Sequence, residues 1–186
     1  MTIDLGTGDG RLPYVLARQS PDRLFVGLDA SAAALRELSG RAHRERQENL
    51  LYVRAAVEEL PAELERVADR FTVVLPWGSL LAAVVRPSVA VLSRIRALGR
   101  PGASLSVVLG VDPIRDRAEI ARLQLPSLTD VYLRGPLADA YATAGFHVTS
   151  VVRLDATLLR RWPSTWARRL FHASERAAVQ VDARAF

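Results

Sequence analysis

The sequence predicts one α/β domain, residues 1–186, whose mainly parallel sheet is covered by helices on both faces. Three observations carry that reading. Apolar runs of strand length alternate with amphipathic stretches along the chain, a glycine-rich turn joins the first strand to the first helix, and 186 residues is the size of one ordinary domain. With 49% hydrophobic and 24% charged residues, the composition is that of a folded domain rather than a disordered chain.

Ile3-Asp4-Leu5 reads as the end of a strand running straight into Gly6-Thr7-Gly8-Asp9-Gly10, and residues 11–18 then read as helix. Residues 24–28 form a short apolar run ending at Asp29, as a buried parallel strand does. Ser31 is placed to cap the Ala-rich helix that follows through Leu35 and Leu38. Residues 50–53 and 71–75 are the third and fourth strands, the latter stopped by Pro76. Helices are expected over 80–85 and 89–98, separated by Pro87, then a turn over 99–102 and a fifth strand over 105–109. Residues 118–123 and 137–144 read as helices, Gly145 ending the second. Strands over 148–154 and 178–181 bracket an Arg- and Trp-bearing insert of about residues 155–176.

Composition excludes several classes of function. The absence of cysteine removes disulfide staples and thiolate metal sites. His43, His147 and His172 lack the clustering of metal ligands, so no metal is expected. Met1-Thr2-Ile3-Asp4 carries no secretory signature, and the apolar stretch of residues 71–85 is too short and too interrupted to span a membrane. The expectation is a soluble, cytoplasmic protein. Every one of the 25 basic residues is arginine, and residues 151–186 hold seven of them against three acids, most of the net +5. That excess suits phosphate partners, although a solvated face would look the same.

Chemistry concentrates at the first strand-to-helix turn, where open α/β sheets bind ligands. The spacing of Gly6, Gly8 and Gly10 departs from the G-x-G-x-x-G dinucleotide fingerprint. Asp4 and Asp9 would repel a pyrophosphate but suit a cationic ligand such as the amino-acid end of S-adenosylmethionine. Asp29, closing the second strand, is placed to accept ribose hydroxyls, and Ala55-Ala56-Val57-Glu58 supplies small side chains around an adenine. The conjunction of these segments predicts S-adenosylmethionine binding by Asp4, Gly6, Thr7, Gly8, Asp29, Ala30, Ala55, Ala56, Glu58, Leu75 and Trp77. A nicotinamide-dependent oxidoreductase is disfavoured by the acidic loop.

Trp77 follows the fourth strand directly, beside the expected methyl group, where it is either a base-holding residue or a core anchor. Trp166 lies in Ser164-Thr165-Trp166-Ala167-Arg168-Arg169-Leu170. Two aromatic planes across a pocket can sandwich a flipped base, and Arg168 and Arg169 can pair with phosphates. Trp162 either packs under the insert or affects how the loop carrying Trp166 is placed.

The segments Asp4 to Arg11, Ala55 to Glu58, Pro76-Trp77-Gly78 and Ser164 to Leu170 resemble, in order and spacing, the 16S rRNA (adenine-1408, N1) methyltransferases, the Kam and Npm aminoglycoside-resistance enzymes. The resemblance implies a Rossmann-like class I S-adenosylmethionine-dependent methyltransferase with a seven-stranded, mainly parallel sheet and an antiparallel last strand. It further implies a monomer acting on helix 44 of 16S rRNA in the 30S subunit, with S-adenosylhomocysteine as product. The target adenine would stack between Trp77 and Trp166. By the same resemblance Ser164 lies near the reacting centre, Glu119 supports the flipped nucleotide, and Arg169 and Arg176 join Arg168 in contacting rRNA. Methylation at N1 would block drugs such as kanamycin and apramycin. Two family features find no match: a hairpin before the first strand, and a basic glycine-containing loop, in place of which this chain has residues 44–49. A small-molecule methyltransferase, or a binding homologue without efficient transfer, are the competing readings.

Overall fold

The structure is a computed structural model and describes residues 1–159, 162–165, 167 and 178–186. The chain runs β1 (Thr2–Leu5), α1 (Arg11–Gln19), β2 (Phe25–Asp29), α2 (Ala32–Arg44), β3 (Leu50–Arg54), β4 (Ala68–Val74), α3 (Gly78–Val85) and α4 (Val89–Leu98). It continues β5 (Gly99–Leu109), α5 (Arg117–Leu123), α6 (Asp130–Arg134), α7 (Pro136–Thr143), β6 (Phe146–Leu154), α8 (Ala156–Leu159) and β7 (Ala178–Ala185), with a 3-10 turn at Ala62–Leu64. The seven strands are ordered β3-β2-β1-β4-β5-β7-β6. The first five are mutually parallel, and β7 is inserted antiparallel between β5 and β6. This is the seven-stranded, mainly parallel order with an antiparallel last strand that the resemblance implies.

Strand alternation separates the two faces. Ile3, Leu5, Val26, Leu28, Phe71, Val73, Leu105 and Val107 point to one side and join buried residues of α3, α4 and α7 in the main core. Phe71 meets Phe146 edge-to-face there, ring centres 6.5 Å apart. On the opposite face Tyr14, Ala17, Phe25, Leu38, Ala42 and Leu50 form a smaller cluster under α1 and α2. A third cluster gathers Leu75, Val108, Leu154, Leu159, Ala167 and Ala178. Between these, the same face of the sheet carries Asp4, Thr72 and Ser106, so its centre is polar.

Local signals account for the helix starts. Ser31 accepts from the Ala34 N–H at 3.3 Å and Ser88 from the Val91 N–H at 3.4 Å, each as a helix N-cap. Gly145, at φ 88°, lets the chain leave α7 and enter β6. Three expectations need correction. β5 begins at Gly99 rather than 105, because residues 99–102 continue the strand, with Gly99 opposite Ala68 and a register shift before Arg70. Strand β4 begins at Ala68 rather than 71 and ends at Val74, and β7 runs on to Ala185 rather than ending at 181. Helix α6 was absent from the sequence reading; Thr129 caps it by accepting from the Tyr132 N–H at 3.2 Å.

Candidate active site

A cavity of about 260 Å³ opens at the carboxyl ends of β1, β2, β3 and β4. Its walls come from segments far apart in sequence: Gly6, Thr7, Gly8 and Asp9, then Asp29 and Ala30, then Ala55, Ala56, Val57 and Glu58, then Leu75, Pro76, Trp77 and Ser79, with Ser164 closing it. Parallel β-pairing produces this gathering, because each strand delivers its following loop to the same edge.

The glycine loop turns sharply enough to leave backbone facing the cavity. Gly6 has φ 66°, and a Cβ there would stand 2.5 Å from the Leu80 side chain. Gly10 has φ 77°, and a Cβ would overlap the Tyr52 ring, whose hydroxyl donates to the Gly10 carbonyl at 2.7 Å. The loop is tied to β2: Thr7 N–H donates to the Leu28 carbonyl at 2.9 Å. Asp29 is fixed by its two oxygens, one accepting from Gly8 N–H and the other from Ser31 N–H, both at 2.8 Å. Each oxygen keeps a further lone pair, so the carboxylate is oriented and still able to accept from a vicinal diol.

Asp4 is placed otherwise than expected. It does not line the cavity; it lies beneath the loop, 5% exposed. Its oxygens accept from the Thr7 hydroxyl at 2.5 Å and the Thr72 hydroxyl at 2.6 Å. Desolvation by burial pushes its carboxyl up to about 6, the two hydroxyl hydrogen bonds pull the other way, and Asp29 and Asp9 add to the rise. The acids on the wall are instead Asp9, Asp29 and Glu58, and no arginine lines the cavity among the described residues. The field is negative. Such a site attracts a cation and opposes a diphosphate.

At the mouth stands Trp77, 53% exposed and the N-cap residue of α3. That exposure removes the core-anchor reading. Its position is set by strained backbone, since Leu75 sits at φ 52° immediately before Pro76, while the Leu75 N–H still pairs with the Val108 carbonyl at 2.8 Å. Behind Trp77, the Gly78 N–H faces the carboxylate of Glu119. Arg122 grips Glu119 through two bonds of 2.7 Å and holds its carboxyl below the usual glutamate range, with the nearby Gly78 N–H acting in the same direction. Glu119 therefore braces the turn behind Trp77. Opposite, Ser164 accepts from Ala167 N–H at 3.4 Å. Trp166, Arg168, Arg169 and Arg176 lie outside the described residues.

Of the residues expected to meet the cofactor, Gly6, Thr7, Gly8, Asp29, Ala30, Ala55, Ala56, Glu58, Leu75 and Trp77 share one cavity; Asp4 stands behind it. Sequence reasoning missed the apolar lining of Val57, Leu60 and Leu80, which periodicity could not separate from core. It also missed Thr72, the partner that fixes Asp4 across β4.

Comparison with known proteins places this geometry in context. A sequence profile described as NpmA, 16S rRNA (adenine(1408)-N(1))-methyltransferase, matches residues 1–185. A 16S rRNA (adenine(1408)-N(1))-methyltransferase of Escherichia coli is 32% identical over 188 residues, covering 97% of this chain and 84% of the relative. One from Streptoalloteichus tenebrarius is 35% identical over 184 residues, covering 96% and 84%. The crystal structure of the aminoglycoside resistance methyltransferase NpmB1 superposes with a TM-score of 0.83 at 40% identity, covering all of this chain and 86% of that one. A tryptophan-to-alanine variant of the Catenulisporales acidiphilia enzyme, crystallised with cosubstrate SAM, gives 0.87 at 35% identity, covering 99% and 84%.

Proposed function

Because the chain belongs to the NpmA family of 16S rRNA (adenine(1408)-N(1))-methyltransferases, we propose that it methylates N1 of that adenine in the 30S subunit. S-adenosylmethionine is the methyl donor, and aminoglycoside resistance the consequence. The observation that carries this reading is the acid-lined cavity with the exposed ring of Trp77 at its mouth.

The residues fit S-adenosylmethionine. Asp29 holds the ribose hydroxyls, Ala55 and Ala56 leave room for the adenine, and the carboxylates of Asp9, Asp29 and Glu58 supply negative charge to a ligand bearing an ammonium and a sulfonium. When bound, the donor supplies an electrophilic methyl carbon. Adenine N1 attacks with its lone pair, the sulfur–carbon bond breaks, sulfur leaves as a neutral thioether, and the positive charge passes to the purine. No proton has to be removed first, so the protein's task is orientation. Trp77 stacks on the flipped base and Trp166 covers its other face, while Ser164 lies beside the reacting centre. Arg168, Arg169 and Arg176 pair with phosphates of helix 44, which agrees with the arginine excess of residues 151–186. The enzyme acts as a monomer in the cytoplasm and needs no metal.

Primer extension on 30S subunits treated with the protein and S-adenosylmethionine tests the reading. N1 methylation blocks base pairing, so a reverse-transcription stop at adenine 1408 is expected. Read-through on fully treated subunits, or a stop at another nucleotide, would overturn it.

A further inference from the structure

We infer that Trp162 is a positioning residue for methyl transfer: it is the strut that holds Ser164 against the cofactor cavity. The identity of the reaction rests on the function proposed above; the geometry of the strut does not.

Trp162 follows α8 after two residues, and its backbone makes a turn at both ends. Its N–H donates to the Leu159 carbonyl at 3.1 Å, and its carbonyl accepts from the Ser164 N–H at 2.8 Å. Pro163, between them, fixes φ and offers no donor, so the link from Trp162 to Ser164 is stiff. The indole packs against the cluster containing Leu75, Leu159 and Ala167. Two of these bear directly on the site. Leu75 lines the cofactor cavity in its strained left-handed conformation, and Ala167 donates its N–H to the Ser164 hydroxyl.

The other side of the same segment faces a void. A second cavity of about 330 Å³ lies on the α1 face of the sheet, walled by Trp162 and Pro163 opposite Leu12 and Leu16, with Thr72 and Ser106 on its floor. Trp162 and Pro163 line this cavity while Ser164, the next residue, lines the cofactor cavity. The segment is thus a partition between two spaces, and the indole is what keeps it pressed toward the reacting side. Remove that ring and Ser164 has somewhere to go. Positioning of this kind matters because displacement by about 1 Å from the reacting geometry costs ~100-fold in rate.

The test compares Trp162→Ala with Trp162→Phe in the full chain. Amide hydrogen exchange is read at Ser164 and Ala167, with Gly8 as the internal reference, and methylation kinetics are read on 30S subunits. In Trp162→Ala, exchange at Ser164 is expected to rise about tenfold or more while Gly8 is unchanged. The same variant loses about 10- to 100-fold in kcat, with S-adenosylmethionine affinity within about threefold of wild type. Trp162→Phe, keeping an aromatic plane in the cluster, restores both within about threefold. Unchanged Ser164 exchange or unchanged kcat in a folded Trp162→Ala protein would overturn the strut. So would equal losses in both variants that follow their melting temperatures, since that marks bulk stability rather than position. Should the wild type leave 30S subunits unmethylated, the functional reading fails, and the exchange measurement still decides the strut.

Discussion

Replacing Asp4 by asparagine isolates one buried charge. The carboxyl stands at about 6 against an ordinary 3.8, so its ionised form is disfavoured in the folded protein by about two units, or about 3 kcal/mol in all. A raised folded-state value means that the stability it contributes is complete below about pH 4 and disappears as pH climbs through about 6. Roughly 2 of those 3 kcal/mol fall between about pH 4.5 and about pH 7.5. Asparagine is neutral throughout. It keeps an acceptor for one of the Thr7 and Thr72 hydroxyls and obliges the other to accept, at a cost of about 1 kcal/mol or less. Urea unfolding of Asp4→Asn and wild type at the two pH values should therefore show the variant gaining about 2 kcal/mol on wild type at the higher pH. Other titrating groups cancel in that double difference. A difference that stays flat with pH, or one in which wild type gains at high pH, would refute the reasoning. A cation bound in the adjacent cavity recovers part of the cost, so Asp4→Asn should also weaken S-adenosylmethionine binding: the residue gives up stability in the free protein for affinity.

Two further outcomes follow from the site. Gly10→Ala, which needs a left-handed alanine and drives its Cβ into the Tyr52 ring, should lose about 2 kcal/mol or more in thermal unfolding and bind S-adenosylmethionine poorly by calorimetry. Trp77→Ala should leave the melting temperature nearly unchanged, since the ring is 53% exposed. Its methylation of 30S subunits should fall by about 5- to 150-fold, the equivalent of ~1–3 kcal/mol of stacking, with Trp77→Phe recovering most of the loss.

Legibility in the sequence followed the range of the physics. The glycine loop, Asp29 and the Ala55-Ala56 segment could be read because each is a local pattern with its own steric or charge logic, and the alternation of strands and helices then put them at one sheet edge. Ser31 as a cap was visible for the same reason. Asp4 was visible as an acid but not as a buried one. Its environment depends on the register that sets it opposite Thr72, 68 residues away, on a face whose polar residues look exposed in sequence. Glu119 is legible as an acid, yet its place beside Gly78 belongs to the packing of α5 against the start of α3. Helix α6 was too short, at five residues, to show a period.

The placement of β7 governs how the domain can be assembled. Among the described residues β6 bonds only to β7, so β6 waits without a partner until residues 178–185 arrive. The first five strands can close on one another as they emerge from a translating ribosome. The segment carrying Trp162 and Ser164 packs on a cluster that includes Ala178, the first residue of β7, so its seat is complete only with β7 between its two neighbours. Completion of the donor pocket by Ser164 therefore rests on contacts between parts of the chain distant in sequence, the class of contact whose loop-closure entropy is paid before it is rewarded.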